Sequence, residues 1–257
     1  MSELHDLHAV VTGGGSGIGA AVARELLLRG ARVTLMGRDL ARLQAQRARL
    51  AEQGPVAEQR CDVADEASVQ TAFAAAVADF GAIDILVNNA GQAQTAPFVK
   101  TSLAQWQQML QVNLTGTFLC TQQVVAGMAE RGFGRIVNVA STASLKGYAY
   151  VAAYCAAKHG VLGLTRALAL EMAKKGVTVN AVCPGYTETE IVEQAVANIV
   201  AKTGRSAEAA RQELAAGNPQ GRLVQPEEVA HTVAWLASRG ASAMTGQAIA
   251  VCGGEWS

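Results

Sequence analysis

Short runs of β-branched and apolar residues alternate along the chain with longer stretches in which apolar residues recur every three or four positions. The first pattern suits strands buried on both faces of a sheet, and the second suits amphipathic helices. Strands are predicted over 8–12, 32–36, 57–62, 83–88, 135–140, 178–183 and 247–251. Helices are predicted over 17–29, 40–53, 66–80, 103–131, 154–175 and 227–238. Alternation of this kind is the sequence form of repeated βαβ units, because parallel strands need a crossover helix between them. The expected fold is α/β: a doubly wound, seven-stranded parallel sheet with helices on both faces and ligands at the carboxyl ends of the strands.

One segment, 187–222, breaks the rhythm. It holds two helical stretches, 191–202 and 206–216, joined by Thr203-Gly204-Arg205 and closed by Gly217-Asn218-Pro219. An insertion of this size at the carboxyl edge is expected to be a small, mobile helical lid over a substrate. No linker, repeat or low-complexity stretch divides the chain, so 1–257 is expected to be one domain with 187–222 as its lid.

Half the residues are apolar, enough for a substantial core. Lys plus Arg equal Asp plus Glu at 21 each, so no basic excess points to nucleic acid or an anionic membrane as partner. No apolar run approaches the roughly 18 residues of a membrane span, and Met1-Ser2-Glu3-Leu4-His5-Asp6 lacks the basic start of a secretory signal. The expectation is a soluble, cytoplasmic protein. Cys61, Cys120, Cys155, Cys183 and Cys252 are scattered and never spaced C-x-x-C, and His5, His8, His159 and His231 show no ligand spacing. They read as small buried hydrophobes and ordinary histidines, so no metal site is expected.

Two motifs carry chemistry. Thr12-Gly13-Gly14-Gly15-Ser16-Gly17-Ile18-Gly19 follows the apolar run Ala9-Val10-Val11 and precedes a helix with Ile18, Val22 and Leu26 on one face. Strand, glycine turn and helix start let backbone N–H groups meet a pyrophosphate. Farther on, Tyr154 and Lys158 are four residues apart, with twelve residues between Ser141 and Tyr154. On a helix that interval puts phenol and ammonium on one face. A phenol with its ordinary pKa near ~10 is a poor base, and a fixed cation beside it favours phenolate. A shift of about two units needs only roughly 2.7 kcal/mol. Ser141 would donate a hydrogen bond to the substrate oxygen.

With Asn88-Asn89-Ala90-Gly91 after the apolar run 83–87, Asn113 in a helical segment, and Pro184-Gly185 after the run 177–182, these motifs stand in the order found in the short-chain dehydrogenase/reductases. The chain resembles that family from about residue 6 to 254. The resemblance implies a nicotinamide dinucleotide held by Gly13, Gly15, Ser16, Gly17, Ile18 and Gly19. It places Asp62 and Val63 at the adenine, Asn89, Ala90 and Gly91 at the ribose, and Pro184, Gly185, Thr187 and Thr189 over the nicotinamide and its carboxamide. Lys158 would hold the nicotinamide ribose and lower the Tyr154 pKa, and Tyr154 would exchange a proton with the carbonyl oxygen that Ser141 polarises. Asn113 would join Lys158 to solvent through its backbone carbonyl and a water. At the end of the second strand stand Gly37 and Arg38, which favours NADP(H), since arginine pairs with a 2′-phosphate. NAD(H) stays open, because Asp39 could meet a free ribose and Ser16 stands where many NADP-dependent relatives carry a second basic residue.

Substrate-facing positions are expected at Gln92, Ala93, Gln94, Ala143, Lys146, Tyr148, Ile191 and Val192. The 184–189 turn and the 218–223 stretch resemble 3-hydroxyacyl and D-3-hydroxybutyrate dehydrogenases, yet Ala143 and Val151 stand where a His and a Lys would clamp a free carboxylate. A 3-oxoacyl or 3-hydroxyacyl thioester is therefore favoured, with Lys202, Arg205 and Arg211 as candidates to meet a CoA phosphate. A broad ketone reductase and a hydroxybutyrate-type dehydrogenase are the alternatives within the class, and a non-catalytic dinucleotide sensor lies outside it. The resemblance also implies a homotetramer, through the helices at 103–131 and 154–175 and the run at 248–252.

Overall fold

A computed structural model describes residues 3–256; Met1, Ser2 and Ser257 lie outside the described residues, and with them the start of the segment read for a secretory signal. Seven strands form one all-parallel sheet: β1 (His8–Thr12), β2 (Arg32–Gly37), β3 (Val56–Arg60), β4 (Ile85–Asn88), β5 (Gly134–Val139), β6 (Val177–Pro184) and β7 (Ala248–Val251). Their order is β3-β2-β1-β4-β5-β6-β7, so the chain reverses direction across the sheet between β1 and β4. Crevices open outside the carboxyl ends of strands at such a point. The helices are α1 (Gly17–Leu28), α2 (Leu40–Leu50), α3 (Glu66–Phe80), α4 (Leu103–Leu110), α5 (Gly116–Arg131), α6 (Ala152–Met172), α7 (Glu190–Thr203), α8 (Ala207–Ala215) and α9 (Pro226–Ala237).

Alternate strand residues feed two cores. Ala9, Val11, Val33, Leu35, Ile85, Val87 and Val137 pack with Val22, Leu26 and Leu27 of α1 and Val229, Val233 and Leu236 of α9. Val10, Met36, Leu86, Ile136 and Val179 face the other way, onto Phe73 of α3, Val124 and Met128 of α5 and Met172 of α6. Both faces are covered, which is why the strands read as continuous apolar runs. Through the middle runs a buried polar chain. Asn88 Nδ2 donates to Thr121 Oγ1 at 3.1 Å and to Asn138 Oδ1 at 2.9 Å, and Asn138 Nδ2 donates to Thr165 Oγ1 at 2.8 Å. These bonds fix β4 and β5 against α5 and α6, and so set where α6 presents its first turns.

The expected helix at 103–131 is two helices joined by a π-turn over Gln111–Thr115. The cause is local: Asn113 Nδ2 donates to Met109 O at 3.0 Å, and a Cβ at Gly116 would stand 2.9 Å from the Val63 side chain. The side chain competes for the helical carbonyl while the close contact holds the bulge in place. Helix α6 begins two residues before Tyr154, and a 3₁₀ turn over Ala173–Lys175 completes the stretch expected to be helical. Other boundaries fall within three residues of expectation, and those of β1 and α3 coincide with it. Among the described residues no helix is long and apolar enough to cross a membrane. Nor does any group of three His, Cys, Asp or Glu among them stand where it could hold a metal.

The fully buried Leu26 joins α1, α9 and the sheet, so Leu26→Ala is expected to cost about 2–5 kcal/mol of unfolding free energy in a urea titration. A loss under about 1 kcal/mol would show that the α1–α9 layer is not the packed unit described here.

Candidate active site

The glycine turn is built by close approach. A Cβ at Gly19 would stand 2.2 Å from the Gly13 carbonyl oxygen, and one at Gly13, where φ is +65°, would stand 2.8 Å from Asn89 Nδ2. Neither position has room for a side chain. Thr12 closes the arrangement: its hydroxyl accepts the N–H groups of Asn89 and Ala90, both at 3.0 Å, while Asn89 Nδ2 donates to Thr12 O at 2.9 Å and to Gly13 O at 3.2 Å. The ends of β1 and β4 are thereby locked together beneath the start of α1. Ser16, the N-cap residue, spends no side-chain bond on that helix. Backbone N–H groups at such a helix start suit a phosphate.

Beside the turn, Arg38 and Arg60 line an open cavity of about 510 Å³ with Asp62, Asp65 and Ser68. Asp39 is spent as the N-cap of α2, accepting from Arg42 N at 3.1 Å. Arg42 instead spans the turn, donating to Glu190 Oε2 of α7 at 2.5 Å and to Ser16 Oγ at 3.4 Å. Asp62 Oδ1 accepts from Ala64 N at 3.0 Å, and Val63 lies buried under Gly116.

Ser141 follows β5 and accepts the Ala143 N–H at 3.1 Å. Tyr154 and Lys158 share one face of α6, the ammonium 5.7 Å from the centre of the phenol ring. Lys158 Nζ is buried and donates to Val139 O at 2.8 Å. Burial lowers its pKa to about 8. Burial also pushes the Tyr154 phenol up to about 12, against the opposing pull of the Ser141 hydroxyl. This corrects the sequence expectation of a phenol made acidic by its lysine. The ammonium is directed at the Val139 carbonyl, and desolvation of the phenolate is the largest influence on the phenol.

Asn113, at the centre of the π-turn, holds the loop after β4 by both ends of its side chain. Its Nδ2 donates to Gln92 O at 3.0 Å and its Oδ1 accepts Gln92 N at 3.2 Å. A Cβ at Gly91 would stand 2.8 Å from Asn113 Oδ1 and 3.7 Å from Lys158 Nζ, so these three residues meet. The backbone carbonyl assigned to a relay accepts Thr117 Oγ1 at 3.0 Å. After β6, Gly185 N donates to Val251 O at 3.0 Å, Thr187 Oγ1 to Gly185 O at 3.0 Å and Thr189 Oγ1 to Thr187 O at 3.2 Å. The Thr189 methyl faces Gly17, 3.1 Å from where a Cβ would be, so α7 starts against the glycine turn.

The expected substrate-facing residues divide. Gln94 lines a shallow crevice with Tyr150, Val151 and Met109, and Ile191 is exposed at the start of α7. Ala93 is exposed, and Gln92 Nε2 is buried with no protein partner. Ala143 is buried, and Val192 points into the small core of α7 and α8, so neither offers surface to a substrate. Arg205 pairs with Glu213 at 2.6 Å and Arg211 with Glu188, which engages two of the cations proposed for a CoA phosphate. No site role was read from the sequence for Thr12, Arg42, Arg60 or Glu255. Thr12 was legible as the residue opening the glycine run, whereas the other three reach the site only through tertiary contacts.

Residues 13–255 match the family model described as enoyl-(acyl carrier protein) reductase. Over 249 residues the chain is 44% identical to a cis-4-hydroxycyclohexanecarboxylate dehydrogenase of Sinomonas cyclohexanicum, covering 96% of this chain and 95% of that protein. Over 251 residues it is 41% identical to an acetoacetyl-CoA reductase of Rhizobium meliloti, covering 96% and 98%. A crystal structure of an actinorhodin polyketide ketoreductase variant with NADPH is similar at a TM-score of 0.94 and 42% identity, with 97% of each chain covered. The chain belongs to the short-chain dehydrogenase/reductase family and is a nicotinamide-dependent oxidoreductase. The cradle at Gly13 and Gly19, which a Cβ would fill, fits the dinucleotide that this class uses.

Thr12→Val leaves the Asn89 and Ala90 amides without their acceptor and is expected to cost about 1–3 kcal/mol of stability and to weaken dinucleotide binding. Denaturant titration and cofactor fluorescence check both, and wild-type behaviour in each would contradict the lock.

Proposed function

We propose that the protein interconverts a ketone and a secondary alcohol using NADP(H), with a 3-oxoacyl thioester or a comparable neutral ketone as substrate. The observation that carries this reading is the placement of Tyr154 and Lys158 on one face of α6, with Ser141 supplying a hydroxyl beside the phenol. The nicotinamide, when bound, supplies or accepts the hydride. Ser141 donates to the substrate oxygen and fixes it beside Tyr154. Tyr154, protonated at neutral pH, delivers its proton to that oxygen during reduction and receives it during oxidation. Lys158 carries the positive charge that steadies the phenolate left behind, and its pKa near 8 lets it regain a proton close to neutrality. Asn113 positions the loop at Gly91 against Lys158.

NADP(H) is favoured by Arg38 and Arg60 at the cavity beside β2, and by the loss of Asp39 to the α2 cap. Arg60 supplies the second basic group that Ser16 does not. A neutral substrate is favoured by the absence of a free cation in the 142–151 loop, where Lys146 is paired with Glu255 at 3.2 Å. The names of relatives that reduce acetoacetyl-CoA or polyketide ketones agree with this chemistry. Residues 187–222 act as the lid of a single 1–257 domain, their two helices having a small core of their own. A cytoplasmic homotetramer completes the proposal, and light scattering reads the assembly directly.

Tyr154→Phe removes the transferable proton and is expected to lower kcat about a thousandfold or more while leaving NADPH affinity within about threefold. Near wild-type turnover would overturn the mechanism. Arg38→Ala should reduce kcat/KM for NADPH about tenfold and leave NADH unchanged, and equal losses with both would contradict the 2′-phosphate assignment. In the free enzyme the active form holds Lys158 protonated, and that form is lost as pH rises through about 8. The kcat/KM for ketone reduction should therefore fall about tenfold per pH unit above that value, and a flat profile to about pH 10 would contradict it.

A further inference from the structure

The carboxyl-terminal tail brings a carboxylate into the substrate side of the molecule. Gly253 and Gly254 turn the chain after β7, and Glu255 enters with its side chain only 5% exposed. Its Oε1 accepts the Tyr148 hydroxyl and lies 3.2 Å from Lys146 Nζ, and its backbone carbonyl lies 3.5 Å from the same ammonium. Tyr148 also approaches Thr142 Oγ1 at 2.7 Å, one residue after Ser141. On the other side, a Cβ at Gly185 would stand 3.0 Å from Glu255 Oε2, and Tyr186 packs edge-on to Tyr148 with ring centres 6.4 Å apart. Glu255 thus sits where the loop after β5, the turn after β6 and the tail converge.

Lys146 is the basic residue of the 142–151 loop, and its side chain retains 34% exposure. A substrate carrying its own carboxylate would need such a cation. Glu255 occupies it first, and a buried carboxylate already bonded to a phenol and an ammonium is costly to displace. We propose that Glu255 is a specificity-determining residue that withholds Lys146 from a substrate carboxylate and so restricts the enzyme to ketones, esters and thioesters that lack one. This deepens the ketone-reductase reading and rests on it. Neutralising Glu255 frees the ammonium to pair with a substrate carboxylate, whereas losing Lys146 as well removes the gain.

The test compares acetoacetate with ethyl acetoacetate for wild type, Glu255→Gln and the Glu255→Gln/Lys146→Met double variant, following loss of NADPH absorbance. Glutamine keeps an oxygen that accepts the Tyr148 hydroxyl. The expected result is a rise of about tenfold in the acetoacetate to ethyl acetoacetate ratio of kcat/KM in Glu255→Gln, and a return to the wild-type ratio in the double variant. An unchanged ratio in Glu255→Gln, or a gain that survives in the double variant, overturns the proposal. Glu255→Asp, which draws the charge back by one methylene, is the second variant. It should raise the ratio about threefold, and no change in it counts against the proposal if glutamine prevents folding. Should wild type reduce neither compound, the ketone-reductase reading fails. The inference is then decided by acetoacetate affinity of the NADPH complexes, read by cofactor fluorescence, with the same expected gain in Glu255→Gln and with unchanged affinity as the contrary result.

Discussion

An ammonium held out of water with one carbonyl for a partner is the constraint on which the site depends. Lys158 Nζ is buried at the end of β5 and donates to Val139 O at 2.8 Å. An unpaired buried cation would be intolerable, and even this paired one has its pKa lowered to about 8 by burial. The surroundings keep it there. Val139 is fixed by the ladder of β5 on β6, and α6 is fixed by the Thr165 hydroxyl, which accepts from Asn138. Gly91 makes room for Asn113 beside Lys158, since a side chain there would collide with Asn113 Oδ1.

The same economy governs the cofactor side. Polar side chains at the strand ends are spent on one another, leaving backbone N–H groups at the glycine turn for a ligand. Thr12 and Asn89 join β1 to β4, at the place where the strand order reverses. Arg42 then reaches from α2 past Ser16 to Glu190, so the first residue of α7 is tied to the same turn. The proposed lid and the proposed dinucleotide cradle are therefore joined through Arg42. The pair is exposed and of small energetic weight by itself.

The parallel sheet and its strands were legible because strands covered on both faces must be apolar throughout, and β1, β4, β5 and β6 are buried along their whole length. The glycine turn and the Tyr154–Lys158 interval were legible because each is local, fixed by spacing alone. The π-turn at Asn113 was hidden, since helical periodicity does not record a side chain competing for the Met109 carbonyl. The direction of the Tyr154 pKa was hidden too, because burial is a property of the folded surroundings and not of the four-residue interval. Arg42, Arg60 and Glu255 lie far in sequence from the groups they meet, and no pattern near them marks the encounter.

Lys158 is a buried, easily deprotonated ammonium beside the Tyr154 phenol. Its titration can be followed by NMR with lysine labelled at Cε, the resonance assigned by its loss in Lys158→Met. The expected midpoint in the free protein is near 8. A midpoint at the ordinary lysine value of about 10.4 would mean that the side chain is in water, and the site described here would not exist.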